Sequence, residues 1–183
     1  MLIPMGFLAA SGAGGADFEL IATAYGTGSS SIITFNGVPS TYKHLQLRMA
    51  VRSAYGSSMT NIGFRFNGDS AGNYHAHELV GGTTPTSTSY IGYSYAVAAF
   101  TDGNSATGGS YGAVITDILD YTSPVKNTTI RTMSGTYNGS NPRVGLRSGL
   151  WLNTAPVTSI QVVEGNGSNF TTATRVSLYG IRG

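Results

Sequence analysis

The chain has 183 residues, no cysteine and a formal net charge of +2, and charged residues make up only 10% of it. The absence of cysteine excludes disulfides and thiolate metal sites, and the scattered basic residues disfavour a nucleic-acid binder, which needs a clustered positive patch. Glycine is frequent, with 26 residues, so we expect a surface solvated by hydroxyls and amides, as suits a protein outside the cell.

Residues 1–16 differ from the rest of the chain because they carry no basic residue and combine an apolar start with a Gly/Ala-rich end. The segment lacks the basic region of a secretory signal, and a membrane span needs about 20 apolar residues. A loose tail is one interpretation. We favour an apolar arm that inserts into a partner, because its side chains would otherwise be bare in water. The anchoring residues predicted there are Met1, Leu2, Ile3, Met5, Phe7 and Leu8.

From residue 17 onward, apolar and polar residues alternate with a period of two, which is typical of half-buried strands. No segment shows a sustained helical period, and at most one helical turn is expected, near residues 41–43. In chain order, the predicted strands are 17–25, 31–35, 44–53, 62–67, 74–80, 90–99, 113–121, 128–134, 143–153, 159–164 and 175–181.

The alternation also predicts which side chains face the core. In the clearest strand these are Leu45, Leu47, Met49 and Val51, and in the next strand they are Ile62, Phe64 and Phe66. The strand at 143–153 is predicted to turn Arg143, Arg147 and Trp151 outward and to bury Val144, Leu146, Leu150 and Leu152.

Turn signals separate these strands. Asn-Gly pairs at 36–37, 67–68, 138–139 and 166–167 tolerate the positive φ of tight turns, and the stretches 81–89 and 101–110 are predicted as surface loops. Short strands bounded by turns predict an all-β fold, a jelly-roll-like antiparallel β-sandwich of about ten or eleven strands with an extended apolar N-terminal arm. The predicted division is an anchoring arm at 1–16 and a sandwich domain at 17–183.

Two patterns resemble enzyme or metal motifs. Residues 108–112 match G-x-S-x-G around Ser110, but a polar loop precedes this serine and a strand follows it, whereas a nucleophile elbow needs a strand and then a helix. His75 and His77 share one face of a strand, with Asp69 near enough in sequence to be a third metal ligand. We favour a polar strand face or a subunit contact, so no metal site is predicted.

A hydrolytic carboxylate pair is disfavoured as well. Asp117 and Asp120 fall on opposite faces of their strand, whereas paired catalytic carboxylates flank one substrate. A secreted jelly-roll enzyme acting on carbohydrate is therefore a weak rival. No catalytic, cofactor-binding or metal-binding residue is predicted, and the chain is expected not to be an enzyme.

Tyrosine is frequent, with eleven residues, and three of them cluster at Tyr90, Tyr93 and Tyr95. Exposed tyrosines can form a carbohydrate-stacking or protein-contact surface, although in strands they more often simply pack. These three residues are the candidate surface-contact group.

Several short motifs follow one another along nearly the whole sandwich segment. They are FELIA at 18–22, SSI at 30–32, VPSTYKHLQLR at 38–48, FRFNGD at 64–69, NY at 73–74, ILDY at 118–121, SGLW at 148–151 and SLYGI at 177–181. In this order they resemble small β-sandwich virion structural proteins, of the tail-fibre or capsid-decoration type, from marine and cyanobacterial tailed phages.

The resemblance implies a non-enzymatic structural protein on the phage particle, assembled in the host cytoplasm and without a cofactor. The chain is too short for a fibre shaft, so we expect a capsid decoration (cement) or short head-fibre protein that docks on other virion proteins by its N-terminal arm. The alternative is a tail fibre or receptor-binding tail module that contacts host surface glycan. Because virion positions repeat by symmetry, we expect a homo-oligomer, specifically a trimer, and neither nucleic acid nor membrane as a partner.

Overall fold

The structure is a computed structural model that describes residues 17–139 and 141–183, so the predicted arm and its anchoring side chains lie outside the described residues. The described part contains twelve strands and no helix. In chain order the strands are β1 Phe18–Tyr25, β2 Ile32–Asn36, β3 His44–Val51, β4 Met59–Phe66, β5 Tyr74–Gly81, β6 Thr86–Tyr93, β7 Ala96–Asp102, β8 Gly112–Leu119, β9 Thr128–Tyr137, β10 Pro142–Trp151, β11 Ser159–Glu164 and β12 Arg175–Ile181.

The strands form two antiparallel sheets that pack as a sandwich. The larger sheet has the order β1-β12-β3-β8-β9-β10-β5-β6, and the smaller has the order β2-β11-β4-β7. Both sheets contribute to one hydrophobic core, for example through Leu47 and Leu178 from the larger and Phe64 and Ile160 from the smaller. The predicted all-β sandwich is confirmed, with twelve strands instead of ten or eleven.

The central strand β3 shows how the sequence pattern becomes structure. Leu45, Leu47, Met49 and Val51 are all buried, as predicted from their alternation. Leu47 lies opposite Leu178 of β12 on one side and Thr116 of β8 on the other. A strand paired on both edges and buried on one face has little freedom to slip in register.

The four Asn-Gly pairs occupy tight turns, as predicted. Gly37, Gly68, Gly139 and Gly167 all have positive φ, and Asn67 joins them at 53°. The Asn67 side chain also holds the neighbouring connection, because its Oδ1 accepts hydrogen bonds at 2.8 and 3.1 Å from the backbone N–H groups of residues 158 and 159.

The predicted strand at 90–99 is wrong, because the chain changes sheets within it. β6 belongs to the larger sheet and β7 to the smaller, with a break at residues 94–95 between them. β6 also begins at Thr86, inside the predicted loop at 81–89. Periodicity did not reveal this because β6 is an exposed edge strand whose first four residues are all Ser or Thr, and such a polar run resembles a loop.

The predicted faces of β10 are also wrong. Arg147 and Trp151 are buried, whereas Val144, Leu146 and Leu152 are exposed and Leu150 is half-buried. Trp151 fixes this orientation: its ring stacks with Tyr74 at 6.3 Å between centroids, and its Nε1 donates to Asp69 Oδ2 at 2.7 Å. The buried indole thus keeps its hydrogen bond, and alternation along the strand then places Arg147 inside and Leu146 outside.

Candidate binding face

The tyrosine cluster lies at the edge of the larger sheet and is partly packed. Tyr93 is 41% exposed and meets Tyr90 edge-to-face at 5.3 Å and Tyr95 at 6.4 Å between ring centroids. The Tyr90 hydroxyl donates to Glu78 Oε1 at 2.9 Å. Burial, together with that carboxylate, raises the pKa of Tyr90 to about 12. Of the three rings, only that of Tyr93 is substantially open to a ligand.

The two histidines share a face of β5, as predicted, but their surroundings do not form a metal site. The His77 ring is hydrogen-bonded to the Ser89 hydroxyl across the strand pair. Asp69 is engaged elsewhere: burial favours a raised pKa, but hydrogen bonds from Asn73, Trp151 and a backbone N–H outweigh it and hold the pKa of Asp69 below its ordinary value. No group of three His, Cys, Asp or Glu side chains suited to a metal ion occurs within residues 17–139 and 141–183.

The motif-like serine and the two aspartates have structural partners. Ser110 lies in a loop, where its hydroxyl donates to the Thr107 carbonyl at 2.7 Å. Asp117 pairs with Arg131 across β8 and β9 at 3.3 Å. Asp120, after the end of β8, pairs with Lys126 at 2.7 Å. Both aspartates therefore have ion-pair partners.

The unexpected feature is the outer face of the larger sheet, which carries a row of large apolar side chains. Ile115, Met133, Leu146 and Leu79 lie directly opposite one another across β8, β9, β10 and β5. Their exposed fractions are 38%, 58%, 50% and 61%. We call these four residues the apolar strip. Adjacent strands bring them together in one line, although they are far apart in sequence.

A row of mostly small residues borders the strip on one side. Ala113, Gly135, Val144 and Gly81 lie two residues from the strip on the same four strands, and hence on the same face. A depression of about 540 Å³ lies over this small-residue row, where its lining includes Ala113, Gly135 and Gly81. The strip is therefore a ridge with a hollow beside it on β8, β9 and β5, whereas Val144 on β10 is itself 63% exposed.

A polar row borders the strip on its other side. It consists of Asp117, Arg131, Ser148 and His77, again opposite one another on the same four strands. Gln46 Nε2 extends it by donating to Asp117 Oδ1 at 2.8 Å. The charges of Asp117 and Arg131 are thus paired within the sheet.

The inner face beneath the strip is unusually polar. Arg147 is 2% exposed, and its Nε donates to Glu78 Oε2 at 2.6 Å, while Nη2 contacts the same carboxylate. Its guanidinium also lies over the Phe100 ring at 4.2 Å. Burial lowers the pKa of Arg147, and the charge and hydrogen bond of Glu78 oppose that shift.

The buried ion pair and the exposed strip follow from the same orientation of β5 and β10. Successive residues of a strand point to opposite faces, so burying Glu78 and Arg147 places Leu79 and Leu146 outside. Sequence periodicity missed the strip because it counted leucines as core residues. The signal available in the sequence was the single tryptophan. If Trp151 points into the core, alternation along the strand points Arg147 inward and Leu146 outward.

The chemistry available to this face is burial of apolar surface. The strip offers no nucleophile; beside it Asp117 and Arg131 are ion-paired, and Arg48, opposite Ile115, donates to Gln46. Within the described part of the chain, no helix is long and apolar enough to cross a membrane.

Comparison with known proteins gives little further guidance. No family model matches the chain, and no curated protein matches it. Among solved structures, galectin LEC-6 from Caenorhabditis elegans is similar with a TM-score of 0.32 and 9% identity, over 88% of this chain and 96% of the galectin. A similarity this weak carries no argument about function.

Proposed function

We propose that this chain is a non-enzymatic structural protein of a bacteriophage particle, a capsid decoration or short head-fibre protein docked by its N-terminal arm. The order of sequence motifs from residue 18 to residue 181 supports assigning the chain to a phage particle. The observation that carries the structural role is the apolar strip, a ridge of exposed large side chains on a folded sandwich.

The energetics of the strip favour a subunit that works within an assembly. Fully burying a Leu, Ile or Met side chain is worth about 1.5–3 kcal/mol. Because each strip residue is already roughly half-buried, a partner gains about 1 kcal/mol from each. One such contact does not offset the free-energy cost of association. In a particle the contact is repeated by many subunits, and their arms and sheet faces together hold the protein by avidity.

Several buried ionisable groups have structural partners, which supports a non-enzymatic role. Glu164 is an example: its carboxylate accepts hydrogen bonds from Thr60 at 2.6 Å and from two backbone N–H groups at 2.8 and 2.9 Å. A carboxylate that accepts this many hydrogen bonds fixes a turn.

A receptor-binding tail module is the second candidate, and Tyr93 favours it. This half-exposed ring stands at the sheet edge near Ile91, which is 72% exposed. Aromatic and apolar surface of this kind suits stacking on a sugar ring. Binding to host surface glycan that Tyr93→Ala abolishes would support the tail module, and Tyr25→Ala, which removes another exposed tyrosine of the same sheet, is the matched control.

The test of the proposed function is the protein content of purified particles. We expect the full chain in particles at a copy number that matches the capsid lattice, and loss of the protein from particles when residues 1–16 are deleted. Circular dichroism of the deletion variant checks that the sandwich is still folded. Absence of the full chain from purified particles refutes the virion role, whereas a few copies per particle favours the tail module.

A further inference from the structure

We propose that the apolar strip and the small-residue row together form a two-fold interface with a second copy of this chain. The inference deepens the proposed function. It rests on that function in one respect, namely that the strip is a surface that becomes buried in the assembly. It names the first partner of that surface: an identical subunit whose larger sheet packs face to face with this one, so that a pair replaces the trimer expected from the sequence.

The main argument is self-complementarity. A two-fold interface uses the same patch on both subunits, so that patch must carry both the protrusions and the hollows that receive them. Here each strip residue has a partner two positions away on its own strand, for example Met133 with Gly135 and Leu79 with Gly81. A two-fold axis that runs across the strands between the two rows places Ile115, Met133 and Leu79 over Ala113, Gly135 and Gly81 of the other copy, and Leu146 over Val144.

The hollow has room for such a ridge. A Cβ placed on Gly135 meets only the Arg143 carbonyl at 4.0 Å, and one on Gly81 meets only the Val144 carbonyl at 3.9 Å. A larger side chain would therefore fit at both positions, so crowding within the fold does not explain the glycines. Neither glycine has a positive φ, so backbone conformation does not require them either.

The two rows themselves are uncharged. The eight positions of the strip and the small-residue row hold no ionisable side chain. Charges lie only at their margins: Asp117 and Arg131 are paired with each other in the polar row, Arg48 lies opposite Ile115 and donates to Gln46, and Arg143 lines the hollow. The contact between the rows is therefore apolar, and the second copy is argued from the shape of the two rows and not from charge.

The size of the sheet is also sufficient. Eight strands at about 4.8 Å spacing and about 3.3 Å per residue give a face of about 34 by 25 Å. This is about 850 Å², close to the ~800 Å² that each partner buries in a standard stable interface. Face-to-face packing of sheets is also how the two layers of a β-sandwich bury their side chains.

The experiment measures the mass of the full chain by analytical ultracentrifugation at micromolar concentrations. We expect a dimer, with twice the 19.0 kDa mass of the chain. Met133→Gly removes the ridge and Gly135→Met fills the hollow. Each change should raise the dissociation constant of the dimer by at least about tenfold, because it occurs twice in a two-fold interface. Val125→Gly, at a residue 80% exposed in a loop outside the strip, is the control and should stay paired.

The double variant M133G/G135M decides the geometry. It exchanges ridge and hollow, so the proposed axis again brings each methionine over a glycine, and association should recover to within about tenfold of the original. Circular dichroism and urea unfolding establish that each variant is folded. Gly135→Met distinguishes this geometry from a contact that depends on hydrophobicity alone, because the added apolar surface would strengthen such a contact instead of weakening it.

Several outcomes overturn the inference. They are a monomer or a trimer as the mass of the original chain, single variants that remain paired, or a double variant that stays dissociated while folded. A monomeric chain that still occurs in particles refutes the pair and leaves the proposed function standing. A pair in solution whose chain is absent from particles refutes the proposed function and leaves the pair standing.

Discussion

Neutralising Glu78 tests the orientation of β5 and β10, because the buried ion pair with Arg147 exists only if both side chains point into the sandwich. In Glu78→Gln the shape of the side chain is kept and its charge is lost. Arg147 then remains buried, with a neutral amide, Asn61 Oδ1 at 3.3 Å and the Phe100 ring as its remaining partners.

The size of the effect follows from the burial of both groups. Removing one partner of a buried pair typically costs about 3–5 kcal/mol, because the other charge is left uncompensated. The side chains here are 1% and 5% exposed, which places the pair in that range. Replacing both residues with apolar ones, as in Glu78→Leu with Arg147→Met, should be much less harmful than the sum of the single changes. The exposed pair of Arg131 and Asp117 is the control, and neutralising Asp117 should cost no more than about 1 kcal/mol.

Urea unfolding followed by circular dichroism measures the free energy of unfolding of each variant. The double-mutant cycle then isolates the coupling between positions 78 and 147 from their separate effects. A cost below about 1 kcal/mol for Glu78→Gln, with additive single changes, refutes the reasoning, because it is the behaviour of an exposed pair. In that case β10 has the orientation that periodicity predicts, and the strip is part of the core.

Two further predictions concern acid stability and the faces of the sheet. Hydrogen bonds from Lys126 and Lys43 hold the pKa of Asp120 at about 2, so its contribution is present above the ordinary pKa near 4 and is lost as the pH falls from about 4 to about 2. Asp120→Asn should therefore flatten the pH dependence of unfolding in that window, and an unchanged slope contradicts this. Leu47→Asp should abolish folding by burying an unpaired charge, whereas Leu79→Asp on the outer face should remain folded. Cooperative unfolding of soluble Leu47→Asp protein is the contrary result.

The sequence predicts the architecture well because local signals and burial agree over most of the chain. In β3 the alternation of Leu45, Leu47 and Met49 with polar residues has a single interpretation, and the strand follows it. The Asn-Gly turns are equally local, since positive φ is a property of those residues themselves. Neither signal depends on which strands become neighbours.

The candidate binding face is not predictable in this way because it depends on pairing. Ile115 and Leu79 belong to one row only because β8, β9, β10 and β5 are neighbours in the sheet. The orientation of β10 depends on Glu78 and Trp151, each of which needs a partner from another strand before burial is favourable. A period of two gives the two faces of a strand but does not say which of them is inside.

The apolar character of the strip is not required by the fold. Its four side chains lie on the face opposite the core, and the pairing of β8, β9, β10 and β5 rests on backbone hydrogen bonds and inward side chains. Threonine or tyrosine at these positions would meet the conformational preference of a strand equally well and would be better solvated. Apolar residues with a hollow beside them reduce solubility without adding to the core. This combination is favourable only when another surface covers the face, and for that reason we place the strip in an interface.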